Sequence, residues 1–376
     1  MATGYHSNAF FVKGRADRLL VISATVISIF GFLVYLSASL SLMAKGEGVF
    51  GGTVAKQATL GLAIGGISAV FASFINYKIW KRLSFWLMMF ATALNLSLLI
   101  PGFGMSHGGA TRWIDLGIIS FQPAEFFKLA FVLYLAFWLS KTGEKIRTFR
   151  YGILPFMMLL GFAAVVLATQ PDMDGFAVLA FTAIVMFFIA GARIRHIALI
   201  LLFLVASFFV LAEVHPYVKQ RFSVFLNPDQ DTLGSSYQIR QSINAVGSGG
   251  FLGRGYGKSA QKLGVLPEPA GDSVFAVLSE EFGFVGSFGT ILLFLFILWR
   301  GMVISNRSPD SFSGLIAIGI VILLTTQSFL NIASMLGLAP LSGLPLVFIS
   351  HGGTAILTAL VGIGIVLSVS RAIKNY

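Results

Sequence analysis

Ten runs of apolar residues leave this chain few ways to fold. They cover Leu19–Leu42, Thr53–Ile75, Leu83–Ile100, Pro123–Leu139, Gly152–Thr169, Gly175–Ala190, Ile194–Val214, Ser273–Trp299, Phe312–Leu336 and Ser350–Ser370. Each is near the ~20 residues that cross a bilayer core as a helix. None shows the apolar–polar alternation of a barrel strand, and in lipid only helices and closed barrels satisfy their own backbone. The expectation is an all-α polytopic integral membrane protein of ten transmembrane helices, one domain over residues 1–376. Composition agrees: 56% of residues are hydrophobic and 11% charged, a surface that a soluble chain of this length could not solvate. The first run follows a basic, polar start and contains Ser37-Ala38-Ser39, as a signal peptide does. It is too long for such a segment and nine more runs follow, so it reads as a retained span.

The net charge of +11 has a topological reading. With the N-terminus in the cytoplasm, the cytoplasmic segments carry Lys13, Arg15, Arg18, Lys78, Lys81, Arg82, Lys141, Lys145, Arg147, Arg150, Arg193, Arg195, Arg300, Arg307, Arg371 and Lys374. The short loops opposite carry only Lys45, Lys56 and Arg112. This is the bias that orients membrane proteins. It puts both termini in the cytoplasm and makes residues 215–272 a large extracytoplasmic loop between the seventh and eighth spans. A nucleic-acid partner is not needed to explain the basic excess. Cysteine is absent, which excludes disulfides and cysteine-based metal or redox centres.

Polarity concentrates around that loop. The stretch Tyr217–Gly286 holds six of the 15 acidic residues and six of the 26 Lys and Arg residues, with a cluster of glycines. A segment outside the cytoplasm has no ready ATP, and no G-x-x-x-x-G-K-[ST] sequence occurs, which argues against an ATP-driven pump. The run from Gly247 to Lys258 is glycine-rich but lies in no βαβ context. Two readings stand side by side. Its backbone can approach a pyrophosphate, with Arg254, Lys258 and Lys262 supplying charge; or it is a compact loop that needs positive φ angles.

Acidic residues at a membrane edge are functional candidates by default. Glu268 and Asp272 lie just before the eighth span. At 100° per residue, Glu280 falls about 80° around a helix from Asp272, and Glu281 about 180°, toward neighbouring helices. Asp272 suits an N-cap as well as a catalytic carboxylate. Glu125 and Lys128 stand three apart behind Pro123 and can neutralise one another. Asp172 and Asp174 precede a helix start, Arg112 beside Trp113 suits an interfacial anchor, and His351 before Gly352-Gly353 suits close helix packing.

Several motifs in order around one long loop resemble the SEDS family (shape, elongation, division and sporulation), the group of FtsW, RodA and SpoVE. They are Val34-Tyr35-Leu36-Ser37-Ala38-Ser39, GGATRWIDLG, FQPAEFFKLA, QPDMDG, YQIRQSINAVGSGGFLGRGYGKSAQKLGVLPE, FAVLSEEFG and PLSGLPLVFISHGG. The resemblance covers nearly the whole chain and is nearest the cell-division branch. It implies a peptidoglycan glycosyltransferase of the bacterial cytoplasmic (inner) membrane that polymerises lipid II outside the cytoplasm. Asp272 is the counterpart of the family's essential aspartate, with Arg112, Arg254, Lys258, Lys262, Glu268, Glu280 and Glu281 expected toward substrate, and Glu125, Lys128 and Asp172 as motif residues. Asp272 would accept a sugar hydroxyl proton, or act as a metal ligand orienting a divalent cation (Mg or Mn) on the departing pyrophosphate. The implied partners are lipid II, an undecaprenyl-pyrophosphate-linked glycan, a class B penicillin-binding protein transpeptidase and other division or elongation membrane proteins.

The sequence departs from the family pattern at Gly271 and Ser273 beside Asp272, at Ala124, at Asp174-Gly175, and at Ser342 and His351. Two other classes therefore stay open: a flippase for a lipid-linked precursor, and a non-catalytic assembly subunit. A flippase would place ionisable groups at the midplane of broken helices, whereas these cluster at the outer edge.

Overall fold

The structure, a computed structural model, describes residues 10–12, 14–44, 50–107, 110–115, 120–214, 221, 223–226 and 234–373. Lys13, Lys45, Lys374 and parts of the loop over 215–272 lie outside the described residues. Eleven helices organise the rest: α1 (Arg18–Ala44), α2 (Phe50–Phe74), α3 (Tyr77–Ser97), α4 (Pro123–Thr142), α5 (Leu154–Ala168), α6 (Met173–Ile189), α7 (Ile194–Val214), α8 (Ser235–Ser248), α9 (Val274–Asn306), α10 (Ser311–Met335) and α11 (Gly353–Ala372). Among the described residues, seven helices are long and apolar enough to cross a membrane, and α6 and α7 contribute two shorter apolar helices.

Each of the ten apolar runs falls on a helix, with two shifts of boundary. The third helix begins at Tyr77 rather than Leu83, because Asn76 caps it by accepting the Lys78 N–H at 3.1 Å. Lys78, Lys81 and Arg82 thus sit inside its first turns. The helix starting near Ser273 runs on to Asn306, past the end of its apolar stretch. The all-α expectation needs one correction. A three-stranded antiparallel sheet, β1 (Gly104–His107), β2 (Ala110–Asp115) and β3 (Ser120–Phe121), lies between α3 and α4. Strand pairing satisfies the backbone of this glycine-broken connection, where no apolar run is long enough to ask for a helix.

Helices α10 and α11 form the centre, each 83% buried over its apolar window, while α9 is 22% buried and lies at the edge. Helix α11 packs closely on α2: a methyl group on Gly364 would stand 2.4 Å from the Ala69 carbonyl oxygen. Small residues permit such backbone approach where lipid supplies no hydrophobic drive between helices. Inside the bundle Lys128 donates to Glu125 Oε1 at 2.9 Å and to Gln327 Oε1 at 2.7 Å. The pair is buried and mutually neutralised, as its spacing suggested.

Within α2, residues Gln57–Ile64 are wound as a π-helix. The widened turn buries Gln57, whose amide donates to the Ser350 carbonyl at 2.9 Å and accepts the Gly352 N–H at 3.2 Å. Helix α2 thereby holds the entry to α11, and that entry in turn holds the turn bearing Asp272.

Candidate functional site

The turn 268–273 is fastened by its backbone on every side. The Glu268 carbonyl accepts the N–H groups of Gly271 and Ser273, each at 3.1 Å. Ser350 donates to the Gly271 carbonyl at 2.8 Å, and the His351 N–H donates to the Ala270 carbonyl at 2.7 Å. From α10, the buried Asn331 amide donates to the carbonyls of Asp272 and Leu344, both at 2.8 Å, clamping two loops together. Gln238 of α8 donates to Ser273 Oγ at 3.0 Å. The Asp272 side chain has no such tie: among the described residues none donates a hydrogen bond to it. Ser273, not Asp272, occupies the N-cap of α9, without a side-chain cap bond. The capping alternative for Asp272 is therefore set aside.

The charges around this half-buried carboxyl decide its acidity. Burial, then the neighbouring charges of Glu268 and Asp174, push its pKa up to about 7, against the opposing pull of Arg221 and Arg112. A carboxyl that exchanges its proton near neutrality, with its backbone locked and no hydrogen bond to its side chain from the described residues, can act as a general base.

Arg112 is committed to neighbouring backbone: it donates to the carbonyls of Gln170 at 2.9 Å and Pro171 at 2.7 Å. It braces the α5–α6 connection and influences Asp272 through its charge. Asp172 caps α6 by accepting the Gly175 N–H at 3.0 Å. Asp174, expected only as an acid at a helix start, stands beside Asp272 and pairs with Arg221 at 2.7 Å. Neither Arg221 nor Asn331 carried a signal in the sequence that would have drawn them to the site.

Lys262, Glu280 and Glu281 gather in a second, buried cluster that holds the loop. Lys262 is buried; its ammonium donates to Glu281 Oε1 at 2.7 Å, Ser37 Oγ at 2.7 Å and the Gly257 carbonyl at 2.9 Å. Direct contact between Lys262 and a pyrophosphate is not what this geometry offers. Glu280, also buried, accepts from Ser259 Oγ at 2.5 Å, from the Ala260 N–H at 3.1 Å and from Arg254 at 3.0 Å. It serves this loop rather than the Asp272 face. Arg254 is 45% exposed and Lys258 is exposed.

A break in α9 explains the glycine run. Gly283 has φ +64°, so the helix opens there. The carbonyls of Glu280 and Glu281 accept the N–H groups of Arg254 and Gly255, each at 3.0 Å. In exchange, the N–H groups of Phe284 and Val285 donate to the carbonyls of Gly250 and Phe251, at 2.9 and 3.2 Å. The loop replaces the missing turn of helix, which is how broken helices survive at membrane depth. A methyl group on Gly253 would stand 2.2 Å from the Glu281 carbonyl oxygen, so glycine is required. Of the two readings of this run, the compact loop is the one observed; these donors are not free for a phosphate.

Among the described residues, no group of three or more His, Asp or Glu side chains could hold a metal ion. Asp174 Oδ2 is already engaged by Arg221 and by the Gly343 N–H. Among the described residues, the donors do not make a preformed divalent-cation site around Asp272.

Apolar helices around a polar turn clamped at one end of the bundle define a multi-pass membrane protein with a candidate site built from loops. Residues 17–375 match the cell cycle protein family FTSW_RODA_SPOVE, and the chain belongs to that family. It is 39% identical to stage V sporulation protein E of Bacillus subtilis over 359 residues, covering 96% of this chain and 98% of that one. It is 35% identical to the probable peptidoglycan glycosyltransferase FtsW of Geobacter sp. (strain M18), covering 96% and 98%. Its fold is similar to a chain solved in work on how a peptidoglycan synthase complex coordinates polymerization and crosslinking, at TM-score 0.78 and 28% identity, covering 95% and 98%.

Proposed function

We propose that this chain is a peptidoglycan glycosyltransferase that polymerises lipid II into glycan strands on the outer side of the bacterial cytoplasmic membrane, in cell division. The observation that carries the reading is Asp272: a carboxyl to which none of the described residues donates a hydrogen bond, on a turn locked by Asn331, Ser350 and His351, with its pKa near 7. In the reaction a sugar hydroxyl oxygen bonds to the anomeric carbon of the lipid-linked sugar. Its proton passes to Asp272, and the pyrophosphate leaves with the electrons of the broken C–O bond. Pyrophosphate is a good leaving group, so the acid partner of a glycosidase pair is not needed. General-base assistance of this kind is worth ~10²–10⁴ in rate. Lys258 and Arg254 are assigned to the lipid pyrophosphate, a role supported by their charge and their exposure.

The reading includes ten spans, both termini in the cytoplasm and the loop over 215–272 outside, supported by the asymmetry of Lys and Arg. A class B penicillin-binding protein transpeptidase is the expected partner, which would crosslink the strands that this chain makes. Purified with that partner and given labelled lipid II, the parent should yield glycan ladders on a gel, and Asp272→Asn none. A folded complex of the parent that makes no polymer, with or without added divalent cation, would overturn the enzyme reading in favour of a flippase or an assembly subunit.

A further inference from the structure

Asp174 stands beside Asp272 without capping a helix or taking part in the proposed proton transfer. It lies in the first turn of α6, but Asp172 supplies that helix's cap. Its Oδ2 accepts the Gly343 N–H at 3.0 Å and pairs with Arg221 at 2.7 Å. Both partners of that pair are only partly exposed, 27% for Asp174 and 21% for Arg221. A methyl group on Gly343 would stand 3.7 Å from Asp272 Oδ2 and 4.0 Å from Asp174 Oδ2, so the two carboxylates attend the same glycine. The next residue, Leu344, is tied through Asn331 to the Asp272 carbonyl. Asp174 is thus joined to Asp272 both through space and through a short chain of fixed backbone.

We infer that Asp174, with Arg221, is a positioning residue for Asp272, holding the segment beside it and setting the pH range over which it can accept a proton. The inference rests on the reading of Asp272 as the base. Among the described residues, four charged groups act on Asp272: Glu268 from its own turn, Asp174 from α6, Arg221 from the loop and Arg112 from β2. Glu268 and Asp174 oppose its ionisation, and the two arginines favour it. Asp174 is the member whose charge is balanced by another member, so removing it changes two influences in the same direction. His351, at the entry to α11, lies within reach of Glu268 and belongs to the same field.

The test is the pH dependence of polymerisation by the complex with its transpeptidase at saturating lipid II. Asp174→Asn keeps an oxygen for the Gly343 N–H, removes a negative charge and takes from Arg221 its ion pair with Asp174. The acid limb should move ~0.5–1 pH unit lower. Arg221→Gln should move it higher by a similar amount, and Asp174→Glu should restore the parental midpoint. Should Asp174→Asn fail to fold, the upward shift of Arg221→Gln carries the test alone. Variants that lower the rate at every pH with the midpoint unchanged would show a bracing role only and overturn the inference. An active Asp272→Asn would instead remove the reading on which it rests, and the two failures are told apart by that variant.

Discussion

Asp174 and Asp272 present their carboxylates to the same face of Gly343, bringing two like charges together where a side chain would otherwise stand. Glycine at 343 leaves that space open, and its φ is not in the left-handed region that demands glycine. The clear space in front of the two acids is therefore a property of the site rather than of the backbone.

This leads to a test by the smallest possible obstruction. In Gly343→Ala the new methyl would make ordinary van der Waals contacts, so the protein should insert and melt near the parent temperature. The methyl would intrude where a sugar hydroxyl must approach Asp272, and polymerisation should fall ~10-fold or more, given how sharply such reactions depend on placement. Parental rates in a folded Gly343→Ala complex would place the substrate elsewhere.

Asp272→Asn separates catalysis from stability through pH. The folded pKa, about 7, lies above the unfolded carboxylate value of ~3.9. Between these values the native state holds more protons than the unfolded chain, so stability falls as pH rises across that window. A neutral Asn escapes this. Its melting temperature should sit near the parent's at about pH 4 and rise above it progressively to about pH 7, with polymerisation abolished throughout. A variant less stable than the parent at pH 8 would contradict the charge environment described here.

Lys262 should behave as a fold residue. Removing one partner of a buried ion pair leaves a charge uncompensated and costs about 3–5 kcal/mol. Lys262→Ala should therefore lose folded yield and activity together, as read by detergent-extracted monodisperse protein alongside glycan output. Normal yield with a selective rise in the KM for lipid II would return Lys262 to the substrate side.

Membrane topology is open to direct labelling. A cysteine replacing the exposed Lys258 should react with an impermeant maleimide added outside, and one replacing the exposed Asn306 only after the cytoplasmic face is opened. The reverse pattern would invert the orientation drawn from Lys and Arg.

Much of the helical framework was legible because a bilayer admits few solutions: a long apolar run must be helical to satisfy its backbone, and each run falls on a helix. The pairing of Glu125 with Lys128 was legible too, since three residues of helix set their distance. The strands over 104–121 were not, because neither their apolar content nor their spacing separates them from an irregular polar loop. Helix α8 escaped for a related reason: its few apolar residues, among them Val246 and the buried Ala245, gain their burial from α9 and α10, which periodicity within the loop does not reveal.

By itself the sequence determined the class of protein, the place of the polar segment and, through resemblance, Asp272 as the residue to examine. Those properties follow from local chemistry: hydropathy, charge position and the order of motifs along the chain. Only the tertiary structure decided what each charged residue does. Lys262 and Glu281, both expected toward substrate, neutralise one another because α9 and the loop bury them side by side. Gly253 and Gly283 serve a helix break whose hydrogen bonds cross between two segments. Asp174 and Arg221 enter the site because α6, the long loop and the approach to α11 converge on Asp272. The acidity of a carboxyl depends on burial and on charges a few ångströms away, and those distances exist only once the chain has folded.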